Sequence, residues 1–521
     1  MKKLFLLSAL LIGVLCVGCT EDPIDASQDV PYFDNPNSTS NEIWYTTSDG
    51  NVVQLYYQSE FGANIVSNTY ENGKGIITFD GPITTIGEMA FYNCTNLISV
   101  TIPNSVTTIK ESAFYMCDSL ESITIGNGVT TIEMNAISYC NSLKEFKGKF
   151  ASADGRCLIV DGRLSAFAPY GLTEYIIPDS VTTIGEMTFY NCTNLTSVTI
   201  PNSVTEIEPR AFGRCNSLES VTIPNSVTTM GECAFNYCDN LKEFKGKFAS
   251  ADGRCLVVDG TLNSFAPFGL TEYAIPDGVT TIGAQVFGYC NKLTRITIPN
   301  SVTTIGNSAF YSCSCLTSII IPNSVITIEE QAFYGCTSLT SVTIGNSVTT
   351  IEMLAFNYCF SLKEFKGKYA SADGRCLIID GTLNSFAPFG LTEYIIPNDV
   401  TTIGGWGFYG CSNLTSVTIP DSVATIQERA FDYCDSLESI TIGNGVTTIE
   451  AVAFVNCLSL TSVYCKATTP PYASRREDGL WSSFENNAPN RHIYVPHESV
   501  EAYKVADGWS DYANAITGYD F

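Results

Sequence analysis

A repeat solenoid, β-rich with short helical turns and capped at both ends, is the fold this sequence predicts. Three observations carry that prediction. A cysteine returns every 23 residues, at Cys94, Cys117 and Cys140, then Cys192, Cys215 and Cys238. It continues at Cys290, Cys313, Cys336 and Cys359, and at Cys411, Cys434 and Cys457. Between cysteines the apolar residues keep the same order in every copy, and the repeat stops short of both termini. A fixed period of this length means one supersecondary unit stacked on itself, so that neighbouring units bury a continuous core.

The unit can be read from Leu195 to Cys215. Val198 and Ile200 alternate with Ser197 and Thr199, the pattern of a half-buried strand built from β-favouring residues. Pro201-Asn202 then turns the chain, proline by fixing φ and asparagine by tolerating turn geometry. Glycine takes that role in Gly126-Asn127-Gly128 and Gly443-Asn444-Gly445. Val204 and Ile207 mark a second, shorter extended piece. Ala211, Phe212 and Cys215 follow at spacings that suit one helical turn facing inward.

Three steps break the rhythm. Cys140 to Cys192, Cys238 to Cys290 and Cys359 to Cys411 each span 52 residues, one repeat plus 29. The added segment runs from Lys147-Gly148-Lys149-Phe150 through Asp154-Gly155-Arg156-Cys157 and Val160-Asp161-Gly162-Arg163-Leu164 to Phe167-Ala168-Pro169-Tyr170-Gly171. Asp-Gly between apolar runs is a strong hairpin signal, so each insertion is expected to add a rung. Thirteen repeats and three such rungs would extend about 80 Å at the usual strand spacing. The recurrence of Cys94, Cys192 and Cys290 at 98-residue steps shows that units were copied in blocks.

The ends read differently. Residues 41–80 hold three strand-like runs, Ile43-Trp44-Tyr45, Val52 to Tyr57 and Gly75 to Phe79, around Asp49-Gly50 and Asn72-Gly73 turns. They are expected to cover the first open rung as an N-terminal cap. Residues 466–521 are expected to form the C-terminal cap, with a short helix and loop from Lys504 to Ile516. Residues 20–40, poor in hydrophobic side chains, read as a flexible tether. Residues 1–19 have a basic start at Lys2-Lys3 and an apolar run from Leu4 to Val17, too short to span a bilayer comfortably.

Two resemblances add to this reading. The sequence Cys16-Val17-Gly18-Cys19 resembles a bacterial lipoprotein lipobox, with Cys16 where that motif usually has leucine. It implies lipidation of Cys19, and membrane attachment through a lipid anchor alone. Thr20-Glu21-Asp22 is similar to the acidic tag that sends Bacteroidetes lipoproteins to the cell surface, implying an outer-membrane, surface-exposed location. Across residues 81–465, Leu-x-x-Val-x-Ile followed by Ala-Phe-x-x-Cys-x-x-Leu resembles the BspA-like leucine-rich repeats of bacterial surface proteins. That family implies a curved solenoid with a parallel sheet along one side, and adhesion to host or bacterial surface proteins. Leucine-rich repeats also use a buried cysteine at this point to satisfy loop carbonyls.

Composition narrows the function. The 27 basic and 53 acidic residues leave a net charge of −26, which repels nucleic acid and anionic lipid. The ladder cysteines lie one strand spacing apart, within disulfide reach, but equivalent side chains point the same way and thirteen cannot all pair. They are expected to be reduced core thiols. Cys157, Cys255 and Cys376 read as strand-core positions, and Cys233 and Cys315 as single departures. The two histidines, His492 and His497, fall in the terminal cap beside no nucleophile. Beyond Cys16-Val17-Gly18-Cys19 of the signal segment no Cys-x-x-Cys pair occurs, nor any phosphate loop or metal motif, so neither an enzyme nor a cofactor is expected.

Binding surfaces remain. Outward strand positions form columns of hydroxyls, Ser122 and Thr124, Ser220 and Thr222, Ser341 and Thr343, Ser416 and Thr418, Ser439 and Thr441. Arg295 and Ile320 interrupt them. Such an array could bind ordered water or a polymer with a matching repeat, and threonine's preference for exposed strands is the plainer account of it. Tyr92, Tyr115, Tyr190, Tyr311, Tyr334 and Tyr409 follow the inward phenylalanine and are expected along one flank. Phe167, Tyr170, Phe265, Phe268, Phe386 and Phe389 mark the insertions and are the candidate ligand contacts, since aromatic faces stack on sugars or anchor proteins; packing against the neighbouring rung explains them equally well. The expected partner is a protein or glycan on a host or bacterial surface; a purely structural envelope role is the third reading.

Overall fold

The computed structural model describes residues 40–57, 60–474 and 482–521. The expected signal segment, Cys19 and the tether as far as residue 39 lie outside the described residues. Each repeat makes one turn of a coil from a long strand, a short strand and a run of tight turns. In one repeat these are Ser122–Ile125, Thr131–Ile132 and the stretch leading to Cys140. Ile123 and Ile125 are fully buried while Ser122 and Thr124 face outward. Pairing is parallel at an offset of one repeat, Ser99 to Ser122 and Ser122 to Glu145. The short strands form a second parallel row, Thr85 to Thr108 to Thr131. The solenoid therefore carries parallel strands on two sides, where one had been expected from the resemblance.

The expected helical turn is absent from the repeats. The segment ending at Cys215 places Arg210 and Arg214 in the left-handed region, at φ 54° and 58°. Gly213 and Cys215 donate their N–H groups back three residues, to the carbonyls of Arg210 and Phe212. Arg210, Phe212 and Arg214 instead donate to Glu232, Ala234 and Asn236 of the next rung. A helix would use every N–H within itself; here alternate donors hold the neighbouring turn, which a stack needs more.

Each insertion opens with a strand of the long row, such as Glu145–Gly148. It then forms an antiparallel hairpin, Cys157–Val160 with Arg163–Phe167. Asp161 and Gly162 at its tip have φ 49° and 80°, the two positive values a two-residue turn of this hand requires. The second hairpin strand starts the next row of short strands, pairing in parallel with Thr183–Ile184. Both parallel rows break at every insertion. The core divides there too. Leu158, Ala166 and Ala168 pack with the preceding block, and Cys157, Leu164 and Phe167 with the following one. The hairpin is thus a septum with two apolar faces, and the described residues contain four successive core blocks.

At the N-terminal end Glu42–Thr47 lies antiparallel between Lys74–Phe79 and the first long strand, Leu97–Thr101. Residues 52–57, expected as a strand, form none. Their polar groups go elsewhere: the Val53 carbonyl accepts from Asn68 and the Tyr56 N–H bonds to Ala90. Ile65–Glu71 takes the place in the sheet instead. At the other end the rows continue past residue 465, through Tyr472–Ala473, His492–Pro496 and Ile516–Tyr519. The α-helix there is Val500–Val505, earlier than expected, followed by the 3-10 segment Ser510–Ala515. Tyr503 and Trp509 are fully buried, and Trp509 covers the end of the phenylalanine column at Phe484, 5.6 Å between ring centres.

Candidate binding surface

The ladder cysteines form an inner column. All thirteen are buried and free. Nine donate their S–H to the phenylalanine carbonyl of the preceding rung, at 2.9–3.3 Å; Cys117 to Phe91 and Cys313 to Phe287 are examples. Cys94, on the first rung, donates to Gln54 of the cap. Burial pushes the Cys94 and Cys359 thiols up to about 12, which disfavours the reactive thiolate. Cys157, Cys255 and Cys376 lie 3.0, 3.0 and 3.2 Å from the hydroxyls of Tyr175, Tyr273 and Tyr394. Cys233 is buried with its thiol on the Ala284 carbonyl, and Cys315 is exposed.

The six insertion aromatics divide in two. Phe167, Phe265 and Phe386 are 3–5% exposed, so they are not ligand contacts. Each sits where a repeat has its inward phenylalanine and packs on the next one, Phe167 on Phe189 at 4.5 Å and Phe386 on Phe408 at 4.6 Å. Ala166-Phe167 is the Ala-Phe of the repeat in another guise, a match obscured because the following turn is shorter. Tyr170, Phe268 and Phe389 are 38–49% exposed. Each lies beneath a lysine ammonium, Lys144, Lys242 and Lys363, at 4.9–5.3 Å from ring centre.

A second aromatic column runs along the outside of the turn segments. Tyr92, Tyr115, Tyr139 and Tyr190 follow one another at 4.9–5.8 Å. Arg214 then lies 6.0 Å from the ring centre of Tyr190 and 5.7 Å from that of Tyr237. Tyr237, Tyr289, Tyr311, Tyr334, Tyr358, Tyr409 and Tyr433 complete the row at 5.0–5.7 Å. The row crosses all three insertions, although the core beneath it does not. The expected row stopped at tyrosines two places before the cysteine. Tyr139, Tyr237, Tyr289, Tyr358 and Tyr433 stand one place before it, in the left-handed conformation that turns their rings onto the same line. Burial, then neighbouring hydroxyls, pushes Tyr190 and Tyr237 up to about 12, so the two rings that flank Arg214 carry no charge near neutrality. Most rings are half-buried, with Tyr289 and Tyr433 exposed.

The hydroxyl columns face outward on the long strands, with Arg295, Ile320, Ile176 and Ile395 exposed among them. His492 opens the strand next to the sheet's last one and His497 lies 3.4 Å from Asp520, both outside the tyrosine row.

A family model for the BspA type leucine rich repeat region matches residues 63–151, 163–250, 261–371 and 382–472. The chain belongs to the BspA-type leucine-rich repeat family. Solved structures similar to this BspA-type chain include a leucine-rich cell surface protein of Faecalibacterium prausnitzii. It is 26% identical over 72% of this chain and 86% of that one, with a TM-score of 0.36. Leucine-rich repeat proteins of Eubacterium ventriosum and Bacteroides ovatus are also similar. The former is 24% identical, covering 77% and 95%, TM-score 0.42. The latter is 22% identical, covering 90% and 99%, TM-score 0.34. No curated protein matches the BspA-type chain.

Proposed function

We propose that this chain is a lipid-anchored surface protein whose solenoid binds a protein partner without catalysing a reaction. The observation that carries the reading is the tyrosine row. A line of tyrosine rings at about 5 Å intervals, carried across three insertions and interrupted once by Arg214, offers the rigid amphipathic contact area that protein interfaces favour. A stacked scaffold holds such a row in place at low entropic cost. The net charge keeps a long surface protein soluble. Cys19 supplies the anchor in this reading, and Cys19→Ala would release the chain from membranes.

The test uses the chain lacking residues 1–19, screened against immobilised fibronectin, fibrinogen and bacterial surface proteins beside a glycan array. Tyr289→Ser, Tyr311→Ser and Tyr334→Ser together should weaken capture of a protein ligand at least tenfold with the thermal transition retained. Undiminished capture by the triple variant would sink the role of the row.

One observation favours a glycan instead. A cavity of 190 Å³ at the second insertion is lined by Phe268, Tyr289, Asp239, Asn291 and Lys292, aromatic faces beside polar groups in the manner of a site for one sugar ring. Glycan binding lost in Phe268→Ala, with no protein ligand found, would select this reading.

A further inference from the structure

The three insertions carry the same surface aromatic, and each is tied to the preceding rung. Tyr170, Phe268 and Phe389 donate their N–H groups to Leu143, Leu241 and Leu362. What surrounds that aromatic differs from copy to copy. At the first insertion Asn191 Nδ2 lies 3.5 Å from Asn141 Oδ1, joining the rungs on either side. At the third, Phe360 stands in place of Asn141 and packs edge-on to Tyr358 at 5.4 Å. The space left there beside Phe360 and Pro388 is 20 Å³.

At the second insertion the same positions open the 190 Å³ cavity. Asp239 stands where Asn141 and Phe360 do, and Tyr289 where Asn191 and Gly410 do. Asn291 and Lys292 replace Thr193 and Asn194 of the first copy. All four residues line the cavity with Phe268. Four exchanges in one copy thus fall on one space.

Their chemistry is unspent. Lys292 enters no ion pair among the described residues, although its charge reaches the Asp239 carboxyl. Burial pushes that carboxyl up against the pull of Lys292, and no described donor bonds to it. The Asn291 Oδ1 accepts from the Ser314 hydroxyl at 2.9 Å, which leaves its amide NH2 to donate. Lys242, 5.3 Å from the Phe268 ring centre, is by contrast paired with Glu219 at 2.9 Å. A neutral sugar ring would use the aromatic wall, the acceptor and the amide, and leave the Lys292 cation idle. A ring bearing both hydroxyls and a carboxylate uses all of them, the charged pair most strongly. The net charge of −26 opposes an acidic ligand at long range. At about 0.15 M salt, however, charges beyond about 8 Å are screened, and the nearest cation decides.

We propose that the cavity at the second insertion binds one carboxylated pyranose of a glycan. Its carboxylate meets Lys292, its hydroxyls meet Asp239 and Asn291, and its ring lies on Phe268. The proposal rests on the glycan reading of this cavity and names the sugar class.

The test titrates the chain lacking residues 1–19 with methyl glycosides of glucuronic, galacturonic and N-acetylneuraminic acid. Each is set beside its uncharged carboxamide, with ligand-observed NMR at about 0.15 M salt as the readout. At least one acid should bind fivefold or more tightly than its carboxamide, and that one identifies the sugar. Lys292→Gln should bring the two forms within twofold, and Lys292→Arg should keep the preference. Phe268→Ala should weaken both forms at least tenfold. Equal binding of acid and carboxamide overturns the proposal and leaves the glycan reading standing, as does a preference that survives Lys292→Gln. Binding of none of the six compounds also overturns it, and the glycan array then decides the broader reading.

Discussion

Asp373 shows how a turn residue serves the core. Its Oδ1 accepts from the Ser371 hydroxyl and the Arg375 N–H, and its Oδ2 from Tyr394, whose hydroxyl also meets the Cys376 thiol. Partial burial pushes the carboxyl up, but those donors outweigh it and hold it below its ordinary value, as they do at Asp154 and Asp252. A lowered folded pKa means stability that is present above the unfolded value, near 4, and lost as pH falls through the folded value. Asp373→Asn should therefore cost about 1 kcal/mol at pH 7, with the difference from the parent shrinking below pH 4 in thermal melts. The aspartate was legible from its place before glycine, but Tyr394 was not. Its hydroxyl reaches back 21 residues, beyond any local pattern.

Among the elements, the insertion shows where reading the chain succeeds and fails. Its hairpin was legible because Asp161-Gly162 dictates backbone geometry by itself. Its aromatics were not, because exposure depends on which rung they join: Phe167 became core, Tyr170 surface. The helical turn failed for a related reason. Spacing reports which side chains face inward, and stacked turns with left-handed Arg210 and Arg214 meet the same requirement as a helix. The entry to the hairpin depends on one glycine. Gly367 has φ 106°, and a Cβ there would lie 2.1 Å from the Ile344 carbonyl oxygen of the preceding rung. Gly367→Ala should cost about 2 kcal/mol or more, measured by chemical denaturation, whereas Thr382→Ala on the same insertion should cost well under half of that.

At the scale of the molecule, the period alone was enough to define the solenoid, and the four-block core was hidden until the hairpin faces could be seen. The 98-residue superperiod and the two-faced hairpins together make one block a removable part. Deleting residues 158–255 joins Cys157 to Leu256, the same junction as in the parent hairpin. That chain should fold, with circular dichroism of the parent's shape and a thermal transition within a few degrees, because each rung touches only its neighbours. Aggregation or loss of the cooperative transition would show that the blocks depend on one another over longer range. The candidate surfaces were half legible. Tyr92 and its five equivalents stood in plain view, while their partners one place later and the cavity at the second insertion required the backbone to be seen.

The septa also bear on how such a chain would respond to tension between an anchor at one end and a ligand at the other. Pulling on a solenoid peels it rung by rung from its free end. Here each peeling front would meet a hairpin whose two antiparallel strands must be sheared or unzipped before the next block loosens. Extension would come in a few discrete steps, each dissipating work while the remaining blocks keep their tyrosines in line. Single-molecule traces would then resemble a staircase, and the molecule would lengthen under load before it lets go.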